Sequence, residues 1–181
     1  MSRTWVYSDP HFYHKNIVKF TKHDGTKLRP WDDVETMTEE MIEWYNELVS
    51  EKDRVYLLGD VCFSVAHMTS VIPRLKGRIC LIPGNHEPKK MKKYIDLFDD
   101  VRGYVQRNGF IMSHIPIHPG SLGRWGLNIH GHTHSNEVAI NDRDAISSDG
   151  EPDPRYYCAC VEQTNFRPKL LDEILHERGL K

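Results

Sequence analysis

The chain has 181 residues, 39% of them apolar and 28% charged, a length and balance expected of one soluble globular domain with a sizeable core. With 24 Lys+Arg against 26 Asp+Glu the net charge is -2, which rules out the strongly basic signature of an obligate nucleic-acid binder and any acidic tail. No apolar run has the length of a membrane span or the form of a signal peptide, and four scattered cysteines make no disulfide framework, so a cytoplasmic protein is expected.

Residues 3–8 are a short β-prone run that stops at Asp9-Pro10, because proline cannot extend a ladder. Residues 15–20 begin a helix, and residues 21–33, with Gly25, Pro30 and several charges, form a loop. Thr36 or Thr38 caps the next helix, with Glu39 three residues after Thr36 as a capping box. Met37, Met41, Trp44, Tyr45 and Leu48 recur on its core face. Residues 54–58 are a buried strand running into Gly59-Asp60. Residues 66–75 are weakly helical and interrupted by Pro73, and residues 78–82 are a second buried strand running into Pro83-Gly84-Asn85-His86. Residues 89–98 are expected as a short amphipathic helix, with Lys89, Lys90, Lys92 and Lys93 on its solvated face. Residues 101–106 and 110–112 form a hairpin about Asn108-Gly109, whose second arm runs into Ser113-His114. A strand at 127–129 runs into His130-Gly131-His132-Thr133-His134, residues 141–155 form a polar loop, and 156–161 are a last strand that packs Cys158 and Cys160 on one face. Residues 170–178 close the chain as a helix. Early strand–helix alternation followed by hairpins predicts an α/β fold, a mixed β-sandwich flanked by helices, in a single domain over residues 1–181.

The eleven histidines are unevenly placed. Five predicted strands each end in a polar cluster: Asp9-Pro10-His11, Gly59-Asp60, Gly84-Asn85-His86-Glu87, Ser113-His114 and Gly131-His132-Thr133-His134. In α/β sheets, sites form beyond the carboxyl ends of strands, so these clusters are expected to converge. They offer two Asp, one Asn and five His, a carboxylate–imidazole set suited to Mn, Fe, Zn or Ni. Thiolates are absent from the set, which disfavours a structural zinc site. Residues two apart in an extended segment point the same way, so Asp9 and His11 can grip one ion and His132 and His134 can reach two adjacent ones. Asp60, central in the order of motifs, can bridge two cations.

The ordered blocks D-x-H, G-D, G-N-H-[ED], H and G-H-x-H resemble the signature of the calcineurin-like metallophosphoesterase superfamily, over residues 9–134. The opening Ser8-Asp9-Pro10-His11-Phe12-Tyr13-His14-Lys15-Asn16 looks like a small single-domain prokaryotic or phage branch of it. The resemblance implies a four-layer αββα fold and a binuclear centre. In it, Asp9, His11 and His134 hold one metal, Asn85, His114 and His132 the other, and Asp60 bridges them. It implies that His86 acts as general acid or stabilises phosphoryl charge, and that Asn85 offers an amide donor to the phosphate. The implied activity is hydrolysis of phosphodiesters or phosphomonoesters of small molecules or nucleotides by a metal-bridging hydroxide, with Mn the first choice of ion and Fe, Ni or Zn alternatives. The phosphoprotein phosphatase branch carries an arginine soon after its G-D block. The segment Gly59-Asp60-Val61-Cys62-Phe63-Ser64 has none, which argues against that activity.

His14 and Arg124 are candidate contacts to a substrate phosphate. His118 is expected at the rim, His130 in the core, and Cys62 as packing. Taken singly, each of these residue types is more often structural or solvated; the ordered set of five clusters is what points to a metal site. Two other readings stand beside the small-substrate enzyme. A nuclease-type diesterase acting on nucleic acid would want a basic groove with stacking aromatics, and Trp5, Trp31, Trp44 and Trp125 are not interleaved with basic residues. A catalytically inactive metal-binding scaffold would show broken ligand blocks, and none is broken. The expected partner is a small phosphorylated substrate or nucleotide, without a membrane, and specificity is expected in loops 21–33, 116–126 and 141–155. Oligomeric state carries no sequence signal.

Overall fold

The computed structural model describes residues 2–140, 146–147 and 151–180. Strand β1 (Thr4–Tyr7) leads through a 3₁₀ turn at Ile17–Lys19 to helix α1 (Val34–Leu48). Then come β2 (Arg54–Leu57), α2 (Val65–Val71), β3 (Arg78–Leu81), β4 (Asp100–Val101), β5 (Val105–Arg107) and β6 (Phe110–Ser113). The one-turn helix α3 (Pro119–Leu122) precedes β7 (Leu127–His130), β8 (Glu137–Val138), β9 (Ile146–Ser147), β10 (Tyr156–Cys158), β11 (Lys169–Leu170) and helix α4 (Leu171–Glu177).

Two mixed sheets result. The first runs β11-β1-β2-β3-β4, with β1 to β4 parallel and β11 antiparallel. The second runs β10-β7-β6-β5, with only β5 antiparallel. The period of two along each strand explains the layering. Trp5, Tyr7, Val55, Leu57, Ile79 and Leu81 pack in one cluster with Met37, Met41 and Tyr45 of α1 and Met68 of α2. Val6, Tyr56, Leu58, Cys80 and Ile82 point the other way, into a cluster with Met112 and Ile129 of the second sheet and Ile174 of α4. Buried on both faces, the first sheet has strands that are almost continuously apolar. A smaller cluster of Ile111, Leu122, Val138 and Tyr156 closes the outer face of the second sheet, where the covering helix is the single turn α3. The α/β class and the pair of mixed sheets flanked by helices are those expected from sequence.

Several local expectations are corrected. The cap of α1 is Asp33, whose carboxylate accepts from Thr36 N at 2.8 Å, so Thr36 and Thr38 lie inside the helix. Residues 89–98 form two 3₁₀ turns, Met91–Lys93 and Ile95–Leu97, not an amphipathic helix. Tyr94 between them has φ -141°, incompatible with a helix, and is buried with its hydroxyl donating to Pro88 O at 2.9 Å. The expected strand 101–106 divides: β4 joins the first sheet beside β3, and only β5 pairs with β6, about Gly109 at φ +85°. Of loop 141–155, residues 146–147 pair with β8, while 141–145 and 148–150 lie outside the described residues. No described helix is long and apolar enough to cross a membrane.

Candidate metal centre

The five clusters meet because strand pairing continues past the strand ends. Beyond β1 and β2, Asp9 N donates to Gly59 O at 3.1 Å, His11 N to Asp60 O at 3.1 Å and Phe12 N to Val61 O at 2.9 Å. Beyond β6 and β7, Gly131 N donates to His114 O at 2.8 Å. The two sheets are tied together by Val161 N donating to Ser8 O at 3.1 Å and by His132 N donating to Asp9 Oδ2 at 2.9 Å. A Cβ on Gly131 would collide with Ser8 Oγ and the Asp9 carboxylate, so only glycine allows this approach.

The backbone marks the same place. Eight described non-glycine residues have positive φ, and five of them are Asp9, His11, Asp60, His132 and His134. Such conformations cost about 1 kcal/mol or more each and gather at functional sites, where the surrounding structure holds them. Here they turn successive side chains inward at the strand ends.

Two groups of side chains emerge, Asp9 with His11 and His134, and Asp60 with His114 and His132, each with donor atoms within 4.8 Å of one another. Asp60 Oδ2 lies 3.7 Å from His11 Nε2 in the first group and 3.5 Å from His114 Nε2 in its own, so it stands between them. Asn85 Oδ1 lies 2.9 Å from His114 Nε2. His114 Nδ1 is 2.7 Å from Leu58 O and donates to it, which leaves Nε2 as the free lone pair.

The donors fit a cation. Asp9 Oδ1 and both ring nitrogens of His11 are buried without a hydrogen-bond partner, an arrangement that costs free energy unless something positive fills it. Burial pushes the Asp9 carboxyl above its usual range, and burial reinforced by Arg29 holds the His11 ring well below its own. An imidazole kept neutral beside a carboxylate short of counter-charge is the state that accepts a divalent ion. The two groups are compatible with a binuclear centre.

Other residues position these donors. Arg29 is fully buried and donates to Asp9 O at 2.8 Å, Pro10 O at 2.7 Å and Glu162 Oε1 at 2.8 Å. Glu162 Oε1 accepts from His134 Nδ1 at 3.1 Å. Burial opposes the Glu162 anion, yet Arg29 and His134 hold its carboxyl down to about 2. Glu87 accepts from Val61 N at 3.1 Å and Gly84 N at 2.7 Å, tying the Asp60 loop to the Asn85 loop.

A family model described as calcineurin-like phosphoesterase matches residues 2–176. The chain belongs to the calcineurin-like phosphoesterase family. It is 32% identical to the uncharacterized protein MJ1445 of Methanocaldococcus jannaschii over 99% of this chain and 94% of that one. It is 26% identical to the Gene 66 protein of Mycobacterium phage L5, over 75% of this chain and 79% of that one. The crystal structure of the protein of unknown function AQ665 from Aquifex aeolicus superposes with a TM-score of 0.67 at 22% identity, covering 98% of this chain and all of that one; this likeness bears on the fold. Membership of the calcineurin-like phosphoesterases implies metal-dependent phosphoester hydrolysis in general.

Within that family setting, the structure brings Asp9, His11, Asp60, Asn85, His114, His132 and His134 together. His86 is exposed beside them, its backbone N–H donating to Asp60 Oδ1 at 2.8 Å. His14 lines the same pocket, its ring centroid 5.6 Å from that of His11. Arg124 is not brought to the site: it stacks over Trp125 at 5.6 Å and lines a separate pocket with Arg107 and Gly109, beyond the opposite ends of β6 and β7. His118 caps α3, its Nδ1 accepting from Gly120 N at 3.1 Å, and His130 is buried with Nδ1 2.8 Å from Gly131 O. Cys160 is more than packing, since its thiol lies 3.3 Å from Asp9 Oδ2 and accepts from His134 N at 3.2 Å. Sequence reasoning took Cys160 for packing alone and did not single out Arg29, Glu87 or Glu162. Only Glu87 stood inside a quoted block, and the pairing of Arg29 with Glu162 has no local signal.

Proposed function

We propose that this chain is a binuclear metal-dependent phosphoesterase, with Mn the preferred ion, that cleaves a phosphodiester or phosphomonoester of a small molecule or nucleotide. The observation that carries this reading is the Asp60 carboxylate, which belongs to one Asp/His group with His114 and His132 and reaches the His11 ring of the other. Asp9, His11 and His134 would hold one ion, Asn85, His114 and His132 the other, and Asp60 both. When bound, the two cations supply Lewis acidity, making hydroxide available near neutral pH and neutralising phosphoryl charge. The chain's own residues do the rest. His86 protonates the leaving oxygen or stabilises phosphoryl charge from the exposed edge of the pocket, while its backbone stays anchored to Asp60. The Asn85 amide donates to a phosphate oxygen. Glu87 keeps the two loops at fixed separation, and Glu162 keeps the His134 ring in one orientation. Four free cysteines support a reducing, cytoplasmic setting.

The test is to strip the purified protein with chelator and assay p-nitrophenyl phosphate and bis-p-nitrophenyl phosphate with Mn, Ni, Zn, Mg or no metal, with Asp60→Asn alongside. Mn-restored hydrolysis that vanishes in the variant is expected, and the preferred ester separates diesterase from monoesterase. Hydrolysis indifferent to chelation, or intact in Asp60→Asn, overturns the proposal. Two bound ions without turnover on any ester would favour the inactive scaffold.

A further inference from the structure

The centre opens into a pocket of about 440 Å³, within the usual range for a small-molecule site. His11, His86 and His134 form its floor, and His14, Ile17, Phe20 and Phe63 its wall. Among the described residues, no Lys, Arg, Asp or Glu lines it. Phe63 and Phe20 are 39% and 47% exposed, and they are two of five large apolar residues so exposed among the described residues. Apolar side chains left open beside a reactive centre mark a ligand surface more than chance does. Neither ring is loose. Phe63 meets His14 at 4.3 Å and 70°, His86 at 4.9 Å and 63°, and His11 at 5.4 Å and 67°, edge-on contacts that fix its plane. Phe20 meets His14 at 5.9 Å and 73°.

Building on the phosphoesterase reading, we propose that this wall is the subsite for a planar aromatic group carried next to the scissile phosphate, a nucleobase, stacking on Phe63 and Phe20. A sugar would set hydroxyls against Ile17, Phe20 and Phe63, which offer them no partner. An acyl chain would want an enclosed channel, whereas both phenyl rings lie half open. A flat base offers a broad apolar face to these half-exposed rings, and stacking of this kind tolerates any base identity. The base can belong to a free nucleotide or to the terminal nucleotide of a single strand.

The test is calorimetric titration of the Mn-loaded protein with AMP and with ribose 5-phosphate, which share the phosphate monoester and differ in the base. AMP is expected to bind about tenfold tighter. That ratio should collapse to about twofold or less in Phe63→Ala and in Phe63→Leu, which keeps apolar bulk but not the ring. It should persist in Phe63→Trp and in Tyr104→Ala, an exposed aromatic outside the pocket. Tighter binding of 5′-phosphorylated triadenylate than of AMP would identify a strand end as the source, and equal binding a free nucleotide. Equal affinity for AMP and ribose 5-phosphate, or a ratio that survives both Phe63→Ala and Phe63→Leu, overturns the subsite while leaving phosphate binding standing. Failure of both ligands to bind removes the phosphoesterase reading and the subsite with it.

Discussion

Asp9 and Asp53 are buried at opposite ends of the first sheet, one beyond the carboxyl end of β1 and one before the amino end of β2. Asp53 is saturated with donors: Arg3 N at 2.8 Å, Ser50 N at 3.0 Å and Trp5 Nε1 at 3.2 Å. Burial opposes its charge, but those N–H groups outweigh burial and hold the carboxyl well below its usual range. Asp9 accepts from Ser8 Oγ at 2.5 Å, His132 N at 2.9 Å and Cys160 Sγ at 3.3 Å on one oxygen and has no hydrogen-bond donor on the other. Its carboxyl is pushed up by burial, and its backbone sits at φ +55°. One aspartate is finished by the protein itself; the other is finished only by something that binds. The amino ends of the strands are therefore built for stability, and the carboxyl ends carry strain and uncompensated charge for function.

Replacing each aspartate should separate those roles. Asp9→Asn is expected to lower metal-dependent kcat/KM by about a thousandfold, several kcal/mol of lost electrostatic stabilisation. In metal-free protein the same change should raise stability by about 1 kcal/mol, since a buried, half-satisfied charge disappears. A metal-free melting temperature that falls instead would mean Asp9 is structural, like Asp53.

Asp53→Ala should leave metal binding intact and cost about 3 kcal/mol, because three N–H donors lose their buried acceptor. In a chain of 181 residues that is a drop of roughly 10 °C in Tm. The pH dependence has a definite sign. The folded Asp53 carboxyl is depressed below its unfolded value of about 4, so its stabilisation is full above that value and fades as pH falls through it towards the lower folded value. Urea midpoints between pH 6 and pH 3 should fall less steeply in the variant; equal slopes would remove Asp53 from the acid limb.

Glu162→Gln tests the carboxyl end more gently. The His134 ring loses a charged acceptor, so affinity for one of two ions should fall about 10- to 100-fold while the other stays near its original value. Calorimetry would resolve the two steps. Equal weakening of both would show that Glu162 supports the loops as a whole, through Arg29.

The difference between the two ends also governs what the sequence discloses. Ligand-type residues at strand ends are legible because chemistry demands uncommon residues at short spacing, as in Asp9-Pro10-His11 and His132-Thr133-His134. The alternating burial of β1, β2 and β3 is likewise written in Trp5-Val6-Tyr7 and its neighbours. The supports are illegible because they pair across the chain: Arg29 meets Glu162 at a separation of 133 residues, and each sits in a stretch of ordinary polar composition. Local errors had local competitors. Asp33 took the cap from Thr36 because a carboxylate stood three residues earlier. Tyr94, buried as a single anchor, interrupted a charge pattern that suggested a helix at 89–98.

Arg124 carries the smallest expected effect. It is an exposed residue beside the turn of the β5–β6 hairpin, where Gly126 N donates to Gly109 O at 2.9 Å. His114 leaves the other end of β6, five extended residues from Gly109 and thus roughly 15 Å away. A guanidinium that stacks on Trp125 at that distance has no reach to a phosphate at the centre. Arg124→Ala should change kcat/KM by less than about twofold and stability by about 0.5 kcal/mol or less. A tenfold loss would instead mean that the loop 116–126 crosses to the carboxyl ends during turnover, and the division of labour between the two ends of the sheet would fail at that point.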